Sequence, residues 1–238
     1  MTELNIEYIL TDIEGTTSDI RFVKEVLFPY AAQRLPDYIR RHEAAPEVDQ
    51  ELRIAAAELG LDRADLEGLI EGLLGWIEAD LKRGSLKALQ GQVWRDGYES
   101  GDFTGHLYAD AVTHLKGWAE RGIKLGVYSS GSVEAQRLLF RYSDVGDLSA
   151  LMSDHFDTRV GHKRERASYE NIKRHLLERG AISSAAALLF LSDVAEELDA
   201  AAEAGFKTAE LRRDAERGSG RHLCCLDFAE VSARALLA

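Results

Sequence analysis

Short apolar runs alternate with stretches of helical periodicity in the second half of this 238-residue chain. A continuous apolar run such as 187–191 suits a strand that is buried on both faces. Strands that alternate with helices indicate βαβ units, with parallel pairing and right-handed crossovers. The pattern predicts strands at 8–10, 124–128, near Phe156, and at 187–191, 207–211 and 222–226. It predicts helices at 110–121, 133–142 and 167–179, and a further one that ends near Ala204.

The segment from 18 to 103 differs, because no strand-like alternation interrupts its helical periodicity. One apolar stripe at helical spacing consists of Leu66, Leu69, Ile70, Leu73, Leu74 and Ile77. This block predicts a helical insertion between the first and second strands. We therefore expect an α/β fold with a three-layer, Rossmann-like parallel-sheet core from 1–17 and 104–238, and a helical cap domain from 18–103.

Composition narrows the possible partners. Asp and Glu number 41 against 29 for Lys and Arg, which gives a net charge of −12. Such an acidic chain argues against nucleic acid or an anionic membrane as a partner. The first residues lack the features of a signal peptide, and no apolar run is long enough to span a bilayer. Cys224 and Cys225 are adjacent and suggest neither a disulfide framework nor a metal site, so we expect a cytoplasmic protein.

Two carboxylates follow the first predicted strand. Asp12 comes at its end and Glu14 two residues later, and Gly15, Thr16 and Thr17 complete the turn. In open α/β sheets the carboxyl edge of the sheet is where ligands bind. Gly15 permits a sharp turn, since glycine adopts backbone angles that other residues avoid. A polar strand end followed by a turn explains an isolated pair of this kind, and only the signals further along the chain favour a functional site.

Ser129 and Ser130 follow the second strand, and Lys163 lies in a Gly-His-Lys-Arg segment. Hydroxyls and backbone N–H groups at the start of a helix can hold a phosphate. A lysine adds a compact positive charge and three donors. The structural alternatives are a helix N-cap for the serine-rich segment and a solvated basic loop for the lysine.

Asp193 follows the most apolar strand. Its structural alternative is an N-cap for the next helix. The acidic residues that come one turn later, Glu196 and Glu197, are interpreted as solvated helix residues rather than ligands.

These signals fit one reaction, the hydrolysis of a phosphate ester through an aspartyl phosphate. A divalent cation must then neutralise the facing carboxylates and phosphate, and Mg²⁺ uses one or two protein carboxylates together with water and phosphate oxygens. Asp12 and Asp193 can supply those carboxylates. Glu14 can protonate the leaving oxygen and later activate water.

The order of these motifs resembles the haloacid dehalogenase superfamily. Three segments are similar to the acireductone synthases, also called enolase-phosphatases, of methionine salvage: 12–17 (Asp-Ile-Glu-Gly-Thr-Thr), 127–136 (Val-Tyr-Ser-Ser-Gly-Ser-Val-Glu-Ala-Gln) and 161–163 (Gly-His-Lys). Trp94-Arg95-Asp96-Gly97-Tyr98 is also similar, and the resemblance covers essentially the whole chain. Glu14 is the distinguishing residue, because most of the superfamily has aspartate there.

The resemblance implies a core of haloacid dehalogenase type and a two-step reaction on 2,3-diketo-5-methylthiopentyl-1-phosphate. The diketone is first enolised, and the phosphate ester is then hydrolysed to release the acireductone. The family implies a monomer with one Mg²⁺ per subunit and a small phosphate-ester substrate. It implies metal ligands at Asp12, Glu14 (through its side chain or its backbone carbonyl) and Asp193; substrate contacts at Ser129, Ser130 and Lys163; and catalytic roles for Asp12, Glu14 and Lys163.

Several alternatives stay open. The base for enolisation is Glu14 or a residue near Trp94 to Tyr98, although packing of the cap is the simpler explanation for those two aromatic residues. A phosphatase of the same superfamily with another small substrate, or a metal-independent dehalogenase, fits the same motifs. A serine hydrolase fits less well, because the spacing around Ser129 is one residue too long for a nucleophile elbow. A non-catalytic binding protein is the remaining alternative.

Overall fold

The computed structural model describes residues 6–214 and 218–236. The chain divides into two compact units, which are described separately. The core unit comprises the chain through Ile20 and from Gly105 onward, and the inserted unit comprises Arg21–Thr104. The predicted domain boundaries lie slightly earlier, after residues 17 and 103. The roles of these units as a hydrolase core and a cap stay predictions.

The core unit contains a six-stranded sheet with the order β3-β2-β1-β4-β5-β6. Its strands are β1 Tyr8–Thr11, β2 Lys124–Tyr128, β3 Met152–Phe156, β4 Leu188–Ser192, β5 Lys207–Leu211 and β6 Leu223–Cys225. Every neighbouring pair is parallel. The predicted α/β fold class is confirmed, and the predicted bounds of β2 and β5 are those observed.

Ten α-helices lie in the described part of the chain. They are α1 Ile20–Phe22, α2 Phe28–His42, α3 Pro46–Leu59, α4 Leu66–Glu78, α5 Gly84–Ser100, α6 Ala109–Glu120, α7 Val133–Arg141, α8 Arg166–Glu178, α9 Ala195–Glu203 and α10 Phe228–Val231. Short 3₁₀ turns occur at Ser149–Leu151 and Ala185–Ala187, and π-helical turns at Val23–Leu27 and Ser232–Leu236. None of the helices in 6–214 and 218–236 combines the length and apolar character needed to cross a bilayer.

Both faces of the sheet are covered, which explains the continuous apolar strands. On one face, Tyr8 and Leu10 of β1 pack into a buried cluster with side chains of α8 and α9, among them Tyr169. Elsewhere in the unit, Trp118 of α6 stacks on Phe228 of α10 with ring centroids 5.3 Å apart. Of the two cysteines, Cys225 is buried and Cys224 is half-buried.

The inserted unit is helical, as its periodicity predicts. On α4, the stripe buries Leu69, Ile70, Leu73 and Ile77, whereas Leu66 and Leu74 are half-buried. Trp94 donates a hydrogen bond from Nε1 to the carbonyl of Leu27 at 2.8 Å. The Tyr98 ring lies 4.5 Å from that of Phe103, edge to face. These two aromatic side chains therefore pack within their own unit.

A close approach inside the sheet predicts the effect of one substitution. Tyr8 donates a hydrogen bond to Asp154 at 2.9 Å, and its hydroxyl occupies the place that a Cβ at Gly126 would take. We expect Gly126→Ala to lower the free energy of unfolding by about 2 kcal/mol, because the core has no room for the methyl group. The measurement is urea denaturation. Adding Tyr8→Phe removes the clashing hydroxyl, so the double variant must lose less than the sum of the single losses.

Candidate active site

The central strands bring three predicted site residues to one edge of the sheet. Ser129, Asp12 and Asp193 directly follow β2, β1 and β4, which are neighbours in that order. The register aligns these ends, since Thr11 pairs with Val127 on one side and with Leu191 on the other. The Asp12 backbone N–H donates to the Leu191 carbonyl at 2.8 Å. The convergence follows from parallel pairing, because carboxyl ends of adjacent parallel strands share one edge.

A compact turn holds the two carboxylates that follow β1. We call residues 12–18 the nucleophile turn. The Ile13 carbonyl accepts hydrogen bonds from the N–H groups of Thr16 (3.1 Å), Thr17 (2.9 Å) and Ser18 (2.9 Å). The Thr17 hydroxyl donates to the Asp12 carbonyl at 2.9 Å. Gly15 has a φ of 73°, a left-handed conformation that favours glycine. The turn is therefore fixed through its own backbone.

Lys163 lies at the centre of the site. It is 6% exposed, so the solvated-loop interpretation is wrong for this residue. Its Nζ lies 2.6 Å from Oδ1 of Asp12 and 2.7 Å from Oε2 of Glu197. Its backbone carbonyl accepts a hydrogen bond from the Tyr169 hydroxyl at 2.7 Å, which fixes the loop on α8. The lysine and aspartate predicted from distant segments thus form a buried ion pair.

Glu197 corrects an expectation, because it is a buried partner in the site rather than a solvated helix residue. Besides Lys163, its Oε2 accepts a hydrogen bond from the Ser192 hydroxyl at 3.0 Å. Its neighbour Glu196 is exposed, as expected. Two adjacent glutamates on α9 look alike in sequence, and only the direction of the helix distinguishes them.

The Ser129 hydroxyl faces the nucleophile turn. It donates to Oε2 of Glu14 at 3.0 Å and accepts a hydrogen bond from the Gly131 N–H at 3.0 Å. Ser132 caps α7 by accepting from the Ala135 N–H at 3.2 Å. The N-cap interpretation of the serine-rich segment therefore holds for Ser132, whereas Ser129 is directed at a carboxylate. Ser130 lies between them and is half-buried.

Gln136 fixes the serine-rich loop from behind. Its buried amide donates to the carbonyl of Gly131 at 3.0 Å and to that of Phe156 at 2.8 Å. The Phe156 carbonyl also accepts the Ser129 N–H at 3.2 Å. One glutamine thus joins the loop after β2 to the end of β3. In the sequence, Gln136 is only one residue of the 127–136 motif, and nothing there indicates this role.

Asp193 faces the nucleophile turn from β4. Its carboxylate lies against Gly15, where any Cβ would collide with it. Its Oδ1 is buried and has no hydrogen-bond partner among residues 6–214 and 218–236. Burial raises the pKa of Asp193 to about 6. The N-cap interpretation is wrong, because Val194 takes the cap position of α9.

Negative charge exceeds positive charge in this cluster. Burial raises the pKa of Asp12 well above its ordinary value; the Lys163 ammonium opposes the shift, and the charges of Glu197, Glu14 and Asp193 add to it. Burial alone would lower the pKa of Lys163, but the facing charges of Asp12 and Glu197 raise it, so the ammonium persists. Among the residues that the structure describes, four carboxylates therefore share the ammonium of Lys163. In the described part of the chain, no three His, Cys, Asp or Glu side chains by themselves form a cation site.

Comparison with known proteins identifies the class first. A family model described as haloacid dehalogenase-like hydrolase matches residues 6–205, which places the chain among those hydrolases. The UTR4 protein of Saccharomyces cerevisiae has a similar structure, with a TM-score of 0.76, 36% identity and coverage of 94% of this chain and 99% of that one. CbbY from Rhodobacter sphaeroides shares the fold, with a TM-score of 0.59 at 18% identity and coverage of 98% and 99%.

Curated relatives then narrow the assignment. Enolase-phosphatase E1 of Marinobacter nauticus is 52% identical over 96% of this chain and 97% of its own length. The protein of the same name from Pseudomonas aeruginosa is 51% identical over 96% and 99%. The chain therefore belongs to the enolase-phosphatase E1 family of haloacid dehalogenase-like hydrolases. The predicted family and the prediction of a phosphatase-type enzyme are confirmed.

Proposed function

We propose that this enzyme converts 2,3-diketo-5-methylthiopentyl-1-phosphate to the acireductone and phosphate, by enolisation followed by hydrolysis, as a step of methionine salvage. The observation that carries the proposal is the grouping of Asp12, Lys163 and Glu14 at one sheet edge. Similarity to enolase-phosphatases over nearly the whole chain supports this substrate. The alternative is a phosphatase of this superfamily that acts on another small phosphate ester.

The residues at the sheet edge suit one Mg²⁺ per subunit. Among the residues that the structure describes, the Asp193 carboxylate has a buried oxygen without a hydrogen bond, and the cluster holds more negative charge than Lys163 balances. Mg²⁺ prefers oxygen ligands and commonly takes only one or two carboxylates from the protein. Asp12 and Asp193 would hold it with their side chains, and Glu14 through its backbone carbonyl. When bound, the ion supplies positive charge that lets an anionic phosphate approach an anionic aspartate.

The side chains of the site can then take separate roles in the hydrolysis. Asp12 attacks phosphorus, a new bond forms from its carboxylate oxygen, and the bond from phosphorus to the ester oxygen breaks. Glu14 acts as the general acid that gives a proton to that oxygen, and then as the general base that takes a proton from the water that cleaves the aspartyl phosphate. Lys163, Ser129 and Ser130 stabilise the phosphoryl oxygens, where fixed donors have their largest effect on rate.

Removal of the Asp193 charge should raise the stability of the metal-free protein and abolish the stabilisation by Mg²⁺. In the absence of Mg²⁺, we expect Asp193→Asn to raise the melting temperature by a few degrees. The substitution removes a half-buried carboxylate that has one oxygen without a partner in the described part of the chain. Saturating Mg²⁺ should raise the melting temperature of the unchanged protein but not that of the variant. Differential scanning fluorimetry measures both effects. Equal stabilisation by Mg²⁺ in both proteins would contradict the assignment of Asp193 as a ligand.

The direct test of the substrate is incubation with the diketone phosphate and Mg²⁺, with enol absorbance and free phosphate followed separately. We expect the enol signal to rise before phosphate appears. Phosphate release from unrelated esters, together with no change in the diketone, would favour the alternative. A cytoplasmic location and a monomeric state are further parts of the proposal.

A further inference from the structure

Arg213 lies just after β5 and contacts the nucleophile turn, although the two are far apart in the sequence. Its Nε and Nη2 both donate to the carbonyl of Thr16, at 3.1 and 2.6 Å. Its side chain is 14% exposed. A charged donor pair on one carbonyl in a largely buried place forms a strong and directional contact. The guanidinium thus holds the turn at the residue before Thr17, whose hydroxyl bonds to Asp12.

The other side of the guanidinium is anchored to two further elements. Nη1 donates to both carboxylate oxygens of Asp110 on α6, at 2.8 and 2.7 Å. Oδ2 of Asp110 also accepts the N–H of Phe228 on α10, at 2.9 Å. The guanidinium carbon lies 4.2 Å from the ring centre of Tyr108 and 5.2 Å from that of Phe228. A carboxylate and two aromatic rings therefore fix the guanidinium in the position from which it contacts the nucleophile turn.

We propose that Arg213 is a positioning residue for the reaction, which fixes the turn that carries Asp12 and Glu14. This inference rests on the proposed function. The planar guanidinium matters, because only its fixed fork can serve a carbonyl and a carboxylate in opposite directions. The backbone of Tyr108 also holds the nucleophile turn, because its N–H donates to the Thr17 carbonyl at 2.9 Å. A shift of about 1 Å in a reacting group can cost roughly 10²-fold in rate, so loss of this anchor should lower kcat.

The test compares Arg213→Ala with the matched control Arg174→Ala. Arg174 is exposed on α8 and donates to Oδ1 of Asn171 at 2.7 Å, so its removal leaves both hydrogen bonds to the Thr16 carbonyl in place. We expect kcat on the diketone phosphate to fall by about 10- to 100-fold in Arg213→Ala with KM within about threefold, and kcat to stay within about threefold in the control. Millimolar guanidinium should restore part of kcat in Arg213→Ala, whereas urea, which is uncharged, should not. If Arg213→Ala does not fold, Arg213→Lys replaces it, with a smaller expected loss of kcat.

A second measurement needs no substrate, so it separates this inference from the proposed function. Hydrogen exchange of the Thr16, Thr17 and Ser18 amides should accelerate at least about tenfold in the arginine variant and little in the control. An unchanged exchange rate in the arginine variant would overturn the inference whatever the substrate is. Equal losses of kcat in both variants would also overturn it. Inactivity of the unchanged protein on the diketone phosphate would instead count against the proposed function alone.

Discussion

We expect the Asp12→Asn variant to release phosphate at least about 10⁴-fold more slowly than the unchanged protein, because the amide oxygen is a poor nucleophile for phosphorus. The variant should stay folded, since Lys163 keeps Glu197 as a charged partner 2.7 Å away. The measurement is single-turnover phosphate release with Mg²⁺ present.

Asp147→Asn provides a matched control in the same unit. Its carboxylate is exposed and accepts a hydrogen bond from the Ser149 N–H at 2.8 Å. The control should retain full activity, because Asp147 lies outside the cluster around Lys163. Retention of phosphate release by a folded Asp12→Asn variant would exclude Asp12 as the nucleophile and favour a serine-dependent reaction.

Lys163→Met should have the largest effect on stability as well as a loss of activity. The substitution leaves the buried carboxylates of Asp12 and Glu197 without their cation. We expect the free energy of unfolding to fall by about 3 kcal/mol near pH 8, which urea denaturation measures. Activity should fall by roughly 10²- to 10⁴-fold, because fixed positive charge near the phosphoryl oxygens is lost.

The loss of stability in Lys163→Met should be smaller at low pH than at high pH. The pKa of Asp12 is raised in the folded state, so the folded protein binds more protons than the unfolded chain as pH falls toward the usual aspartate range. Stability of Lys163→Met should therefore recover in part as the pH is lowered. Adding Glu197→Gln should also recover stability, but not activity. A stability loss that is the same at all pH values and unaffected by Glu197→Gln would contradict the explanation that the loss comes from buried carboxylates without a cation.

The sequence was sufficient to predict the residues at the strand ends, because parallel strands repeat one physical pattern. Each apolar run ends where the chain leaves the sheet, and the polar residue that follows must lie at the carboxyl edge. This pattern predicts Asp12, Ser129 and Asp193 at the edge, and the register of β1 with β2 and β4 aligns them. The long helical segment was equally clear, because its apolar residues repeat with a helical period.

The contacts that hold these residues could not be predicted, because they depend on directions that periodicity does not encode. Glu197 looks like its exposed neighbour Glu196, and only the rotation of α9 directs it at Lys163. Arg213 lies in a charged segment whose composition indicates solvent, yet tertiary packing places it on the Thr16 carbonyl. The bond from Ser129 to Glu14 joins two turns that are 115 residues apart.

The central claim is that Asp12 carries the phosphoryl group during turnover, and trapping of that intermediate tests it most directly. The enzyme is quenched during turnover of the diketone phosphate with Mg²⁺ and reduced with borohydride, which converts an acyl phosphate of aspartate to homoserine. Peptide mass spectrometry should then find homoserine at position 12 and at no other aspartate. Active enzyme that yields no homoserine, or homoserine at a different position, would contradict the account.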